Sequence, residues 1–141
     1  MIVLDTNVVS EPDKPEPDPQ VLGWLNQQRE AQLYLTTPTI AELAGGGHRV
    51  LLRTGSRKYL DRLSLIVDRE FSGRILGFEL AAADAYGRVH AQREKIGRPV
   101  GQIDAMIAAI CLVHGATLAT RNVRDFDGIG LPLVNPFEAV P

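Results

Sequence analysis

One cysteine in 141 residues, Cys111, excludes an internal disulfide and a thiolate metal cluster. It sits in the apolar stretch Ile110-Cys111-Leu112-Val113 and reads as a small buried hydrophobe. Three histidines, His48, His90 and His114, are scattered without ligand spacing. No apolar segment is long enough to span a bilayer, and Asp5 interrupts the first apolar run too early for a signal peptide. A reduced, cytoplasmic location away from membranes is expected. The net charge of −2 provides no global basic field for nucleic acid. The glycine triplet Gly45-Gly46-Gly47 is followed by His48 and not by lysine, which rules out a phosphate-binding loop. Repeats, linkers and low-complexity stretches are missing too.

What is present begins with Met1-Ile2-Val3-Leu4, a continuous apolar run followed at once by Asp5-Thr6-Asn7. Such runs suit strands buried on both faces of a parallel sheet. Further strands are expected at 32–36, 74–78 and 116–120, with a short edge strand at 131–134. Helical patterns lie between them. Val8 to Glu11 makes one turn, and Pro12, Pro15 and Pro17 mark a surface loop. Pro19 starts a helix reaching about Gln28, with Trp24 in the core. Thr37-Pro38 starts another, which the three glycines break or loosen. Residues 50–71 look helical with a weak point at Gly55. Residues 79–96 and 101–114 make two more helices, the second apolar almost all round except for Asp104. Alternation throughout predicts an α/β fold with helices on both faces of a mostly parallel sheet, in one domain spanning 1–141.

Charge is unevenly spread. Residues 1–42 sum to −5 and residues 43–74 to +4. The basic stretch from Arg49 to Arg62 is a candidate polyanion track; its side chains would equally well solvate a helix face. The acids carry more information. Asp5 ends the first strand, Glu42 lies early in the helix after the second, Asp104 opens the buried helix, and Asp125 follows the fourth strand. In a parallel sheet these points share one edge, where open α/β folds place their chemistry. Singly, each acid could be a helix cap or a surface charge. Together, clustered carboxylates repel unless a cation joins them, and an all-oxygen set suits Mg²⁺ or Mn²⁺ over zinc.

Met1–Asn7, Thr39-Ile40-Ala41-Glu42-Leu43, Asp104-Ala105-Met106-Ile107-Ala108-Ala109 and Ala119–Phe126 occur in the order seen in PIN-domain proteins. Over essentially its whole length the chain resembles VapC-type toxins, and more narrowly their FitB-like subgroup. The resemblance implies a three-layer α/β/α fold with four to five strands. It implies a Mg²⁺-dependent endoribonuclease, with Mn²⁺ as a possible substitute metal, acting as the toxin of a type II toxin–antitoxin pair. Asp5 and Asp104 would be the principal metal ligands and Glu42 a third acid, direct or through water. Thr6 and Asn7 would orient Asp5 and its waters. Some relatives carry an acid where this chain has Asn122, and others nearer Asp125. Asn122 cannot supply charge, so Asp125 is taken as the fourth acid, with Asn122 a hydrogen-bonding neighbour. Arg121 or Arg124 could bind phosphate.

The resemblance also implies an RNA substrate, a VapB-like antitoxin seated between the helices around 38–70, a homodimer, and a higher assembly with the antitoxin. A non-catalytic PIN-like module that binds RNA or protein is the main alternative. A phosphatase using Asp5 as nucleophile would need a second Asp two residues on, where Asn7 stands.

Overall fold

The computed structural model describes residues 1–138. Five strands, β1 (Ile2–Leu4), β2 (Leu33–Thr36), β3 (Ile75–Leu76), β4 (Thr117–Ala119) and β5 (Leu133–Val134), form one sheet in the order β3-β2-β1-β4-β5. Every adjacent pair is parallel, with Val3 opposite Tyr34 on one side and Leu118 on the other. Consecutive residues of the central strand feed opposite cores. Val3 packs with Val89, Ala105 and Leu118, whereas Leu4 packs with Val8, Val21 and Ile66. A strand covered on both faces can be apolar at every position, which is why this run does not alternate.

The helices are α1 (Thr6–Val9), α2 (Pro19–Gln27), α3 (Thr37–Thr54), α4 (Lys58–Leu65), α5 (Leu80–Lys95) and α6 (Gln102–His114). They complete the three layers expected from the sequence. Local signals account for many of their ends. Asp18 caps α2 by accepting from Gln20 N at 2.9 Å, with Pro19 in the first turn. The cap of α3 is Thr36, one residue before the expected Thr37. Its hydroxyl oxygen accepts from Thr39 N at 3.4 Å. Gly55 and Gly115 end α3 and α6 at φ of 77° and 62°, a left-handed conformation that side chains resist.

Three expectations need correction. The glycine triplet does not break α3, which runs through it unbroken to Thr54. Gly47 is buried where α4 crosses, and a Cβ there would stand 2.7 Å from Leu60 Cδ2. Close helix packing has overridden weak helix propensity. Residues 50–71 are not one helix. Gly55 separates α3 from α4, and α4 passes into a wide π turn at Ile66–Glu70 that closes through Phe71 N to Ile66 O at 2.9 Å. The third strand is only two residues long. Arg74 before it directs its guanidinium to the carbonyls of Glu30 (2.7 Å), Leu33 and Glu70, tying the strand's entry to its surroundings. Smaller shifts affect Pro12, which lies in a 3₁₀ turn at Glu11–Asp13, and α1, which starts at Thr6.

The glycines of α3 give a stability test. Gly46→Ala meets only Arg49 Nη2, at 4.0 Å. It should raise stability by about 1 kcal/mol through helix propensity, roughly 3 °C in a chain of this size. Gly47→Val must push Leu60 aside and should lower stability by about 1–3 kcal/mol. Thermal melts of the two variants check the contrast.

Candidate active site

The crevice lies at the carboxyl end of the central strand, where the chain departs to β2 on one side and β4 on the other. Asp5 sits at its floor, 4% exposed. Its backbone N–H donates to Ala119 O at 2.9 Å, so the residue is pinned to β4. Its carboxylate does cap α1, with Oδ1 accepting from Thr6 N at 2.9 Å. Oδ2 accepts from Thr120 Oγ1 at 2.7 Å and from Asn7 Nδ2 at 3.4 Å. Burial raises the Asp5 pKa, those donors oppose the shift, and the charge of Glu42 adds to it.

Glu42 is exposed on the second turn of α3 and accepts from the Thr6 hydroxyl at 2.5 Å. Thr6 thus links the first strand's acid to the third helix's acid, Asp5 through its amide and Glu42 through its hydroxyl. Asn7 bridges in another direction, its Oδ1 accepting from Arg121 N at 3.2 Å. Asp104 lies in the first turn of α6. Burial, then the charges of Asp5, Asp125 and Glu42, push its carboxyl from 3.8 up to about 6. The four acids named from the sequence therefore share one electrostatic neighbourhood. Asp125 is exposed in a 3₁₀ turn, Val123–Phe126, and its N–H donates to Asn122 O at 3.0 Å. Asn122 is exposed, and its N–H donates to Thr120 Oγ1 at 3.0 Å.

Among the described residues, no three His, Cys, Asp or Glu side chains are already drawn into a closed ligand set. The donor chemistry nevertheless fits a hard divalent ion. Every candidate ligand is a carboxylate, and burial together with the charges of the other three raises Asp104. Cys111 feels Asp5 but is fully buried and its thiol is pushed up to about 12, which removes it as a ligand.

Two participants escaped the sequence reading. Thr120 is fully buried and holds both Asp5 and the chain at Asn122. Glu11 is 3% exposed, paired with Lys14 at 2.8 Å and accepting from Asp18 N at 3.0 Å, so it ties the proline-rich loop down. Arg62, read as a surface base, is instead paired with Asp13 at 2.9 Å and with Glu70. That pairing takes one charge out of the Arg49–Arg62 track.

Asp104 makes a pH prediction. Its folded pKa lies above its unfolded value, so the fold holds this proton more tightly than the unfolded chain does. The stabilising contribution is present near pH 4 and is lost as pH rises through about 6. The gap is worth at most about 3 kcal/mol, and roughly 1 kcal/mol once solvent screening of a half-exposed group is allowed for. In EDTA, Asp104→Asn should melt about 3 °C above the parent at pH 7.5 and level with it near pH 4. Parallel melting curves at both ends would reveal the difference.

Known proteins resemble the chain over nearly its whole length. The chain is 41% identical over 140 residues to a VapC ribonuclease of Sinorhizobium fredii, covering 98% of this chain and 99% of that one. It is 35% identical over 139 residues to the toxin FitB of Neisseria gonorrhoeae, covering 97% and 99%. A solved FitAB complex bound to a DNA fragment superposes with a TM-score of 0.89 at 31% identity, covering 100% of this chain and 99% of that one. The PIN domain family pattern matches residues 2–130. With the parallel sheet, the buried Asp5 and the acids around it all in their expected order, the chain belongs to the PIN domain family.

Proposed function

We propose that this chain is a metal-dependent endoribonuclease and the toxin of a toxin–antitoxin pair. The observation that carries the reading is the arrangement at the end of β1: Asp5 buried and held by Thr6, Asn7 and Thr120, Glu42 bound to the same Thr6, and Asp104 pushed up to about 6 by burial and by the charges of Asp5, Asp125 and Glu42. Four like charges at one sheet edge are tolerable when a cation joins them. The likeness to a VapC ribonuclease and to toxin FitB supports the same conclusion.

Asp5 and Asp104 would hold Mg²⁺, or Mn²⁺ in its place, with Glu42 and Asp125 acting directly or through water. A bound divalent ion supplies charge neutralisation at the scissile phosphate and lowers the pKa of a water to make the nucleophile. The chain's own part is positioning. Thr6 N, Thr120 Oγ1 and Asn7 Nδ2 hold the Asp5 carboxylate in one orientation. The Thr6 hydroxyl holds Glu42. Arg121 lies over the Phe137 ring, its guanidinium carbon 3.8 Å from the ring centre. That stacking leaves the guanidinium edge for a substrate phosphate.

Between α1, α3 and α4 runs an open groove of about 850 Å³, lined by apolar side chains including Val9, Leu43, Val50, Leu63 and Ile66, with Glu42 also on its wall. It suits the apolar face of an antitoxin helix, in keeping with the FitAB likeness. A homodimer, a larger assembly with the antitoxin and a cytoplasmic location complete the reading.

The test is incubation of purified chain with total RNA in Mg²⁺ or in EDTA, beside Asp104→Asn. Discrete fragments that need the metal and vanish in the variant are expected; equal cleavage in all three sinks the nuclease reading. The lack of a closed ligand set among the described residues favours one rival, a PIN-like module that binds RNA or protein without cutting. It would retain RNA or a partner protein and leave the RNA intact in every tube.

A further inference from the structure

Arg93, near the end of α5, is 3% exposed. Among the described residues no carboxylate pairs with it, and its Nε has no partner. A guanidinium buried without a counter-charge is costly, and a well-packed apolar residue would serve stability better. Its bonds go to main chain instead. Nη1 donates to Asp127 O at 2.6 Å and to Arg124 O at 3.3 Å. Arg98 backs it from the surface, donating to Arg124 O at 2.9 Å and pairing with the Asp127 carboxylate at 3.6 Å.

The two carbonyls that Arg93 grips bracket Asp125 and Phe126. Asp125 is exposed, and no side-chain hydrogen bond among the described residues fixes its carboxylate. Its direction is therefore set by the backbone of its turn. Phe126, buried beneath, fixes the depth of that turn. Arg93 holds it through the carbonyls on either side.

We propose that Arg93 is a positioning residue, whose buried guanidinium holds the 123–126 turn so that Asp125 is presented to the acidic site beside Asp104. The consequence for metal rests on the reading of the preceding subsection; the clamp itself does not. An apolar side chain such as methionine could fill the volume of Arg93 but could not grip two carbonyls. Lysine could grip one of them, as a point charge without the fork.

The experiment compares the parent chain with Arg93→Met and Arg93→Lys. Amide exchange of Asp125, followed by NMR in EDTA, should speed up at least about tenfold in Arg93→Met. The amides of β1 and β4 should stay as in the parent, and Arg93→Lys should recover part of the protection. Mn²⁺ titration followed by electron paramagnetic resonance should show affinity weakened about 10- to 100-fold in Arg93→Met and less in Arg93→Lys. A merely structural role would lower the melting temperature and leave the Mn²⁺ affinity of the folded protein unchanged, which overturns the proposal. Unchanged exchange at Asp125 overturns it as well. If the parent itself takes up no Mn²⁺, the metal reading fails alone, and exchange at Asp125 still decides the role of Arg93. If Arg93→Met does not fold, Arg93→Lys decides through the same two measurements.

Discussion

Asp5→Asn should abolish RNA cleavage, by more than about a hundredfold, while the protein melts at the same temperature or slightly higher. Groups that merely orient a metal ligand cost about 10- to 100-fold when removed, so loss of a ligand should exceed that range. The stability half follows from burial. Asp5 is 4% exposed and its pKa is raised, so its ionised form is held at some expense to the fold. Asparagine keeps an acceptor for Thr6 N–H. Its NH₂ group then faces Thr120 Oγ1, which accepts from Asn122 N and has one lone pair left, and the long 3.4 Å bond from Asn7 Nδ2 is lost. A cleavage assay and a melting curve on one preparation read both halves. Cleavage retained by a folded Asp5→Asn protein would remove this carboxylate from the mechanism.

Phe126→Ala should be the most destabilising single truncation near the site. The ring is 1% exposed and packs in one core with Val3, Ile107, Leu118, Ile129 and Leu131. Removing a buried phenyl costs about 3–5 kcal/mol, roughly 10–15 °C in a chain of this length. Leu35→Ala empties a fully buried site in the other core and should cost about 2–5 kcal/mol. The two variants should part on Mn²⁺ affinity. Phe126 neighbours Asp125 in the chain, so its loss should weaken binding as well as the fold. Equal affinities in the two folded variants would count against Asp125 as a contributor to the site.

The elements that the sequence made legible were those with local causes. The run at β1 is apolar throughout because both faces are covered, and proline and glycine marked several helix ends. The acids could be placed at one edge because strand–helix alternation fixes which end of a parallel sheet each one meets. What stayed hidden depends on contacts across the chain. Nothing around Gly47 announces that Leu60 will press against it. Thr120 and Asp5 are 115 positions apart, and Arg93 reaches carbonyls more than 30 positions away. Hydrogen bonds to main chain leave no compositional trace, so a buried arginine gripping carbonyls looks like any other helical base. The length of β3 was misjudged for a similar reason, since the Arg74 contacts that set its entry lie on Glu30, Leu33 and Glu70.

β1, the first of the five strands along the chain, occupies the middle of the sheet, and one of its two neighbours, β4, is the fourth. Asp5 finds its backbone partner at Ala119 and its side-chain partner at Thr120. A polypeptide still on the ribosome therefore has no finished pocket until those residues have been added. Pairings this distant close late and slowly. The site is thus a property of the whole fold, and no fragment that stops short of β4 can carry it.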